Sequence, residues 1–351
     1  MKNSIIVRIS GVFLVFGLMF GSVYTLSGQT AKVKFVKGDQ KIDVMIGGKL
    51  FTSYQYPSNM EKPYLWPVYS PNGSDVTRGF PIASRPKERV DHPHHIGIWF
   101  NHGDVNGLDF WNNSSAIPAD RKDRYGHIMV KEVKKAKNGK KGTLEVVCEW
   151  KDNKGNTLLM ENVKYIFSGN NTSYTIDHIS TLTAVNGTVT FTDNKEGMFA
   201  IRVDRAFEMP SNQPAVYTDS QGNPTTVRST DNTGVTGMYS SSSGKKGDDV
   251  WSTRNNWVIL SGTKDNVLTT MGFWDHPKNI GYPGHSHARG YGLFSTNNLG
   301  SQAYNKEHEK IVVTLKTGES ITLRHRFFIQ SGKEITSAQA DGIFKDFSAL
   351  Y

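Results

Sequence analysis

Cysteine is almost absent from the chain, since Cys148 is the only one in 351 residues, and a disulfide framework is therefore excluded. Cys148 lies within residues 143–150, where apolar and polar residues alternate as in a strand, which favours a buried thiol over a nucleophile. A strong charge excess is missing too: 41 Lys and Arg face 32 Asp and Glu, and the one basic cluster, residues 131–141, holds no aromatic residue. We therefore predict no nucleic-acid partner.

Long apolar runs are also missing, apart from one at the N-terminus. Lys2 and Arg8 precede an uncharged stretch over residues 11–21, whose densest part is shorter than the ~20 residues that span a bilayer. Small residues follow up to Gly28, as in a secretory signal peptide, and an uncleaved anchor is the alternative. We predict that residues 1–28 are a signal peptide, that the mature chain is exported to a bacterial periplasm, and that it is not stably inserted in a membrane after cleavage.

Helical periodicity is scarce, whereas strand patterns fill most of the chain. Runs rich in Val, Ile, Thr, Phe and Tyr alternate with Gly, Asn and Ser turns over residues 33–330, and only residues 336–347 have helical spacing. Irregular loops are expected over residues 57–86, which hold six of the 13 prolines, and over residues 210–249. We predict an all-β fold: one large antiparallel β-sandwich over residues 29–351, with elaborated loops and a short C-terminal helix.

Several functional signatures are missing. The sequence contains no Gly-x-Ser-x-Gly elbow, phosphate-binding loop or dinucleotide fingerprint. Serine hydrolysis and cofactor redox chemistry therefore have little support, and no cofactor is firmly implied, although a divalent metal remains possible.

Histidine, in contrast, is concentrated. Seven of the 11 histidines fall within residues 91–111 and 272–292; they are His92, His94, His95, His102, His276, His285 and His287. Histidine favours neither cores nor strands, so this clustering indicates a site. Alternation along residues 94–102 predicts His95 and Trp99 on one face of a strand and His94 and His102 on the other.

Three interpretations of these imidazoles remain open. His285 and His287 form a His-x-His pair, to which Asp91, Asp104 or Asp275 could add an oxygen ligand for a metal, although the spacing matches no strong metal signature. Metal-free acid–base chemistry and hydroxyl binding is the second interpretation, because His, Arg, Asp and Trp commonly surround a polyol. Structural hydrogen bonding within loops is the third.

A further motif occupies residues 192–203. Glu196 precedes Gly197 at the start of a predicted strand, where a glycine allows close approach of a ligand or another backbone. Glu196 is a candidate general base and Arg202 a candidate substrate clamp. A surface salt bridge is the alternative role for both.

In four motifs and in their order, the sequence resembles the PmoA-like family of exported bacterial proteins. They are His-Pro-His-His-x-Gly-x-Trp-Phe-x-His-Gly-Asp-Val-Asn-Gly-x-Asp-Phe-Trp over residues 92–111, Lys-Glu-Gly over 195–197, Gly-Lys-x-Gly-Asp-x-Val-Trp over 244–251, and Asp-His-Pro-x-Asn over 275–279 before Tyr-Pro and Arg-Gly-Tyr-Gly-Leu up to residue 293. The family has a legacy label as a methane oxygenase subunit, but the sequence has neither a transmembrane bundle nor a dedicated metal framework.

The resemblance implies a fold and a substrate class. Such proteins look like members of the galactose mutarotase-like superfamily of antiparallel supersandwiches, which mostly handle carbohydrates as epimerases, polysaccharide lyases or domains of glycoside-active enzymes. Mutarotases use a histidine as general acid and a glutamate as general base. Their motifs do not align residue by residue with this chain, so these roles are not carried over.

The combined prediction is an exported carbohydrate-active enzyme that epimerises a sugar or oxidised sugar or performs β-elimination on it. The predicted catalytic residues are Glu196, His94, His95 and His285. The predicted residues for holding the carbohydrate ligand are His92, Trp99, His102, Asp104, Trp111, Arg202, Asp275, His276, His287 and Arg289. The alternatives are a non-catalytic glycan-binding protein and a metal-dependent hydrolase or oxygenase with His285 and His287 as ligands.

Overall fold

The computed structural model describes residues 30–351, so the predicted signal peptide lies outside the described residues. The strands are β1 (Val33–Gly38), β2 (Lys41–Ile46), β3 (Lys49–Gln55), β4 (Tyr64–Val68), β5 (Ile98–His102), β6 (His127–Lys137), β7 (Gly142–Lys151), β8 (Thr157–Gly169), β9 (Ser173–Ala184), β10 (Val189–Thr192), β11 (Gly197–Arg202), β12 (Ala215–Thr218), β13 (Pro224–Val227), β14 (Met238–Ser241), β15 (Trp257–Lys264), β16 (Val267–Asp275), β17 (His285–Ser286), β18 (Leu293–Asn297), β19 (Val312–Leu315) and β20 (Ser320–Ser331). One α-helix, α1 (Ser337–Ser348), and three short 3₁₀ segments, Ala119–Arg124, Arg205–Phe207 and Gly247–Val250, complete the described elements.

Two eight-stranded antiparallel sheets form the body of the molecule. The first has the order β1-β2-β3-β4-β5-β11-β18-β17 and the second β14-β15-β16-β20-β9-β8-β7-β6, while β10 pairs with β19 and β12 with β13. The all-β, antiparallel sandwich predicted from the sequence is confirmed.

The core lies between the two large sheets because each contributes one apolar face. Alternate residues of β7, including Cys148 and Trp150, are fully buried, as the strand period of two requires. Trp150 contacts Phe100 of β5, with ring centroids 6.3 Å apart. Burying a large apolar side chain stabilises the fold by about 1.5–3 kcal/mol, so this interface holds the sheets together.

The C-terminal helix covers part of the outer face of the second sheet. Thr336 begins α1 with a capping box, in which its side chain accepts from the backbone N–H of Gln339. Phe347 packs into an apolar cluster with Trp257 and Trp274 of the sheet. Within residues 30–351, no helix combines the length and apolar character that crossing a bilayer requires.

Both stretches expected to be irregular contain strands. Residues 57–86 include β4, and residues 210–249 include β12, β13 and β14, so these parts of the prediction were wrong. In β4 the pairing register with β3 shifts between Thr52 and Tyr54, and Pro67 lies in the part of β4 that faces this shift. A proline is tolerated in a strand at such an irregularity, where its missing N–H removes no regular ladder bond.

Candidate functional site

The outer face of the first sheet carries an aromatic floor beneath the site. Ile98 and Phe100 of β5 join the core between the sheets, whereas Trp99 packs in a second apolar cluster with Trp111 and with Ala200 of β11. Trp99 and Ala200 are paired in register across β5 and β11. The site is therefore built on central strands of the sheet.

Four stacked rings extend from this floor to the surface. The ring of Trp99 lies 5.2 Å from that of His95, His95 lies 4.8 Å from His92, and His92 lies 5.2 Å from Tyr291. Their successive planes are within 20° of parallel. The stack joins the first histidine stretch to the second, and its outer members, His92 and Tyr291, reach solvent.

Two backbone features produce the stack. Gly97 has φ +53, and a Cβ at this position would clash with the carbonyl oxygen of Leu65, so the turn between His95 and Trp99 requires glycine. His92 also adopts a left-handed conformation, φ +45, which is uncommon for a residue with a side chain.

An acid shared between two buried arginines fixes the stack in place. One oxygen of Asp91 accepts hydrogen bonds from Arg78 at 2.9 Å and from Arg202 at 2.6 Å, and the other accepts from Nδ1 of His92 at 2.7 Å. Burial alone would raise the pKa of Asp91, but Arg202, His92 and Arg78 together hold it well below its usual range. Asp91 is therefore a carboxylate, and it orients His92.

Arg202 also defines the protonation of His95. Its guanidinium lies 3.1 Å from Nδ1 of His95 and can only donate, so Nδ1 accepts and the ring proton is on Nε2. Burial, reinforced by neighbouring positive charges, lowers the pKa of His95 well below its usual value. The imidazole is neutral, and with 1% exposure it lies behind the surface of the site.

Glu196 and His287 form a carboxylate–imidazole pair. Nδ1 of His287 donates to the carbonyl oxygen of Lys195 at 3.1 Å and lies 3.8 Å from Oε2 of Glu196, while Nζ of Lys195 lies 3.0 Å from Oε1 of Glu196. Burial, with the charges of Lys195 and Arg289, lowers the pKa of His287 to about 3. At neutral pH the ring is therefore uncharged, with its proton on Nδ1 and a lone pair on Nε2.

A cleft of about 430 Å³ lies next to this pair: Ala288 and Arg289, which follow His287 in the chain, line it, whereas Glu196 and His287 do not. The guanidinium of Arg289 lies over the rings of Trp251 and Tyr291, 5.4 and 5.7 Å from their centroids. The ring of Tyr304 joins Trp251, at 5.9 Å, to His287, at 6.1 Å. The side chains that line the cleft include Arg89, Met209, Asp248, Trp251, Arg289 and Tyr291.

The cleft thus offers aromatic faces and cationic and anionic hydrogen-bonding groups, a combination that suits a polar ligand with apolar C–H faces. The Glu196–His287 pair next to the cleft supplies a carboxylate base, while Nε2 of His287 can accept a hydrogen bond but carries no proton to donate.

Other predicted site residues lie behind this surface. His285 stacks on Tyr304 at 4.8 Å with 1% exposure, and burial lowers its pKa to about 4. His102 faces the core beside Phe191, where its Nε2 hydrogen-bonds to the carbonyl oxygen of Thr192 at 2.7 Å. His95 and Trp99 were predicted to lie on the same face of a strand, and their rings do stack on each other.

Asp275 and His276 require a correction, because they lie at a different part of the molecule. Asp275 is buried and accepts hydrogen bonds from the side chains of Asn279 and Asn298 and from the backbone of residue 284. Burial raises the pKa of Asp275 to about 6. His276 hydrogen-bonds to the carbonyl oxygen of Leu350 and so anchors the C-terminus. Both side chains serve the sheet and its helix, not the cleft.

Asp104 and Trp111 also have structural contacts in place of the predicted ligand contacts. Asp104 accepts a hydrogen bond from the backbone N–H of Gly107 at 3.0 Å and so closes a turn. Trp111 is fully buried in the floor cluster, 5.1 Å from Trp99, and has no surface for a ligand.

In the described part of the chain, no three His, Cys, Asp or Glu side chains come together in a way that could hold a metal ion. Of the predicted metal pair, His287 uses Nδ1 for the carbonyl of Lys195 and His285 is stacked on Tyr304.

Sequence analysis did not assign roles to several residues of the site. Arg78 has no motif that distinguishes it from other arginines, and its role depends on tertiary contacts with Asp91 and the adjoining loop. Trp251 and Tyr291, in contrast, lie in two of the motifs that carry the family resemblance. Their aromatic side chains in these motifs could have identified them as candidate ligand-binding residues.

Three solved structures show the level of structural similarity. The galactosidase domain of alpha-galactosidase-sucrose kinase, AgaSK, has 11% identity and a TM-score of 0.38 over 85% of this chain and 42% of that chain, so this chain spans less than half its length. A galactose mutarotase related enzyme from Lactobacillus acidophilus has 10% identity and a TM-score of 0.27 over 86% of this chain and 98% of that chain. A galactose mutarotase-like protein from Clostridium acetobutylicum has 12% identity and a TM-score of 0.27, covering 86% and 95%.

No curated protein sequence matches the chain. A family model described as "Family of unknown function (DUF6807)" matches residues 41–345. Because this match takes in most of the chain, including every residue of the cleft, the protein belongs to the DUF6807 family.

Proposed function

We propose that the protein binds a carbohydrate in the cleft and performs acid–base chemistry on it, with Glu196 as the base and the neutral His287 as a hydrogen-bonding partner. The observation that carries the proposal is the pairing of this carboxylate with a neutral imidazole, 3.8 Å apart, next to aromatic rings and the Arg289 guanidinium. The identification with the PmoA-like family and export after signal cleavage are part of the same proposal.

The ligand contacts follow from the chemistry of sugars. The C–H face of a pyranose packs on an aromatic ring, here Trp251 or Tyr291, and its hydroxyl groups hydrogen-bond to charged side chains. Arg289 provides fixed donors above both rings, and Asp248 provides acceptor oxygens on the same cleft. Binding of an uncharged or acidic sugar is consistent with this mixture.

The chemistry needs a base close to a weakly acidic C–H bond. Glu196 removes a proton from the carbon next to a sugar carbonyl, and the C–H electron pair becomes an enolate. In epimerisation, water on the opposite face protonates the enolate carbon, and the protonated Glu196 gives its proton to the hydroxide that forms. In elimination, the protonated Glu196 gives its proton to the departing β-substituent. Nε2 of His287 accepts a hydrogen bond from a sugar hydroxyl group, and Lys195 and Arg289 stabilise the negative charge that develops.

Non-catalytic glycan binding is the second candidate, and one contact favours it. Nζ of Lys195 lies 3.0 Å from Oε1 of Glu196, so this carboxylate already has a cationic partner. The ion pair occupies one of the two carboxylate oxygens that proton abstraction would use.

The test follows turnover and binding separately. Purified protein is incubated with mono-, di- and 3-keto-sugars, and products are followed by NMR. Glu196→Gln retains shape and hydrogen bonding but loses basicity, so turnover should fall by about 10² or more while ligand affinity stays within about tenfold. Arg289→Ala should weaken binding by about tenfold or more.

The exposed Glu307 provides a control, because Glu307→Gln changes the same chemical group away from the cleft. Wild-type turnover in Glu196→Gln would reject the catalytic role. Sugar binding without turnover in the wild-type protein would favour the glycan-binding alternative.

A further inference from the structure

Lys62 is a buried lysine without a carboxylate partner. It is 5% exposed, and among residues 30–351 its Nζ makes one hydrogen bond, to the carbonyl oxygen of Trp111 at 3.4 Å. Its ammonium group lies 5.6 Å from the ring centroid of Trp99. A buried ammonium with so few partners is unfavourable unless another group completes its environment.

The nearby acids are already engaged. Glu61 accepts a hydrogen bond from Nζ of Lys122 at 2.8 Å. Asp109 accepts from the backbone N–H groups of Trp111 and Asn112, both at 2.8 Å, and from the side chain of Asn112. The positive charge of Lys62 is therefore not neutralised by direct contact with either residue.

Lys62 lines a pocket of about 110 Å³ that is separate from the cleft. His94 and Ser114 line the same pocket, and Nε2 of His94 and Oγ of Ser114 are buried without a hydrogen-bond partner in the described residues. Ile82 and Ile96 contribute apolar walls. Glu61 also lines the pocket, with its charge paired to Lys122. The pocket thus has a hydrogen-bonding end that contains Lys62 and an apolar side.

We propose that this pocket binds a carboxylate group, with Lys62 as the counter-ion and His94 and Ser114 as further hydrogen-bonding partners. A carboxylate can accept from the ammonium and the hydroxyl group together, and a charge-assisted bond is among the stronger hydrogen bonds. The volume corresponds to only a few water-sized groups, so it fits a short organic acid or the carboxylate end of a larger molecule such as a sugar acid.

The protonation of Lys62 is consistent with such a ligand. Burial lowers the pKa of Lys62 to about 7, despite the opposing charges of Glu61 and Asp109. A bound carboxylate would favour the charged amine and raise this pKa.

The imidazoles of His92, His94 and His95 lie between the pocket and the cleft. The ring of His94 lies 4.4 Å from that of His95 and 5.6 Å from that of His92. The carboxylate site is therefore a second site, and it does not depend on catalysis by Glu196.

Calorimetric titration of the full protein with acetate, and with acetamide as the neutral counterpart, tests the proposal. Acetate should bind and acetamide should bind at least about tenfold more weakly, because acetamide lacks the charge that Lys62 needs. Lys62→Met should lower acetate affinity by about tenfold or more, and Lys134→Met, at an exposed lysine, should leave it unchanged. Glucuronate is the second arm: acetate binding alone indicates a free small acid, and preferred glucuronate binding indicates a sugar acid.

Two further comparisons keep the test decisive. Ser114→Ala should weaken acetate binding and serves if Lys62→Met does not fold. Equal acetate affinity in Lys62→Met and wild type, equal affinity for acetate and acetamide, or binding of neither acetate nor glucuronate at about 50 mM would overturn the proposal. Glu196→Gln should retain acetate binding, so failure of this proposal is distinguishable from failure of the proposed sugar chemistry.

Discussion

At the scale of single residues, Asp91 connects more of the site than any one functional group in the cleft. Its carboxylate holds Arg78 and Arg202, whose side chains are 1% and 0% exposed, and it orients His92. The two arginines repel each other, so a shared anion is needed to keep them together in a buried place.

Asp91→Asn should therefore destabilise the fold. The amide retains the shape but removes the only carboxylate in contact with the two buried guanidinium groups among the described residues. Because Asp91 itself is 32% exposed and Glu88 and Glu208 lie nearby, we expect a loss of about 2–4 kcal/mol in the free energy of unfolding. Urea denaturation measures the change. Glu145→Gln, at the exposed pair with Lys135, is the control and should change stability by less than about 1 kcal/mol. A similar small effect for both variants would contradict the central role of Asp91.

The sequence predicted which types of residue form the site better than it predicted where each of these residues lies. Clustering of histidines pointed to residues 91–111 and 272–292, and His92 and His287 do lie in one site. Exposure could not be predicted, because neighbouring residues such as the exposed His92 and the buried His95 differ through packing against Trp99 and Tyr291, which the local pattern does not show. For the same reason, the shared role of Arg78 and Arg202 has no local sequence signal.

At the scale of elements, alternation predicted the long strands of the second sheet well. In β7 and β9 one face meets the core, so the period of two is visible in the sequence. Strand β4 was missed because its five residues include Pro67 and pair irregularly with β3. The local sequence pattern does not predict a strand that is short and whose pairing depends on strands distant in the sequence.

Helix α1 gives a test at this scale. Phe347 is fully buried against the second sheet, whereas Phe344 on the same helix is only half-buried. Phe347→Ala should reduce the free energy of unfolding by about 3–4 kcal/mol, because it loses apolar burial and leaves a cavity. Phe344→Ala is the matched control and should lose about 1 kcal/mol. Equal losses in urea denaturation would mean that the helix does not pack as described.

At the scale of the whole molecule, the histidines make stability depend on pH. Burial lowers the pKa of nine histidines in the described chain, which are His94, His95, His102, His127, His178, His276, His285, His287 and His325. For each, the unfolded chain takes up a proton near pH 6.5 that the folded chain does not accept until a lower pH. Their contribution is therefore complete above about pH 6.5 and is lost as the pH falls.

Five carboxyl groups in the described chain act in the opposite direction, because burial raises the pKa of Asp75, Asp109, Glu161, Glu208 and Asp275. The pKa rises to about 7 for Glu161 and to about 6 for Asp275, so the contributions of these two decrease as the pH rises through these values. Because the histidines are more numerous, we expect the free energy of unfolding to fall between pH 7 and pH 5, by about 1–2 kcal/mol for each histidine that stays neutral. Urea denaturation across this range would contradict the account if stability were constant or rose on acidification.

His178 provides a variant for the same experiment. Both of its ring nitrogens are buried without a partner in the described residues, and its ring lies 4.6 Å from Phe199 and 4.8 Å from Phe100 between the two sheets. His178→Phe should raise stability at pH 7 by about 1 kcal/mol and reduce the loss on acidification, because it removes two unsatisfied polar atoms and a titrating group. His308→Gln, at an exposed histidine, is the control. If His178→Phe were less stable than the wild-type protein at both pH 7 and pH 5, the imidazole of His178 would have a stabilising hydrogen-bond partner, contrary to this description.

A crystal structure of the protein with the tightest-binding sugar of the panel decides the proposed function. We expect the sugar to lie in the cleft, with a ring face on Trp251 or Tyr291 and oxygen atoms within hydrogen-bonding distance of Arg289 and Glu196. A sugar bound at another surface, or in the cleft but out of reach of both Glu196 and His287, would contradict it.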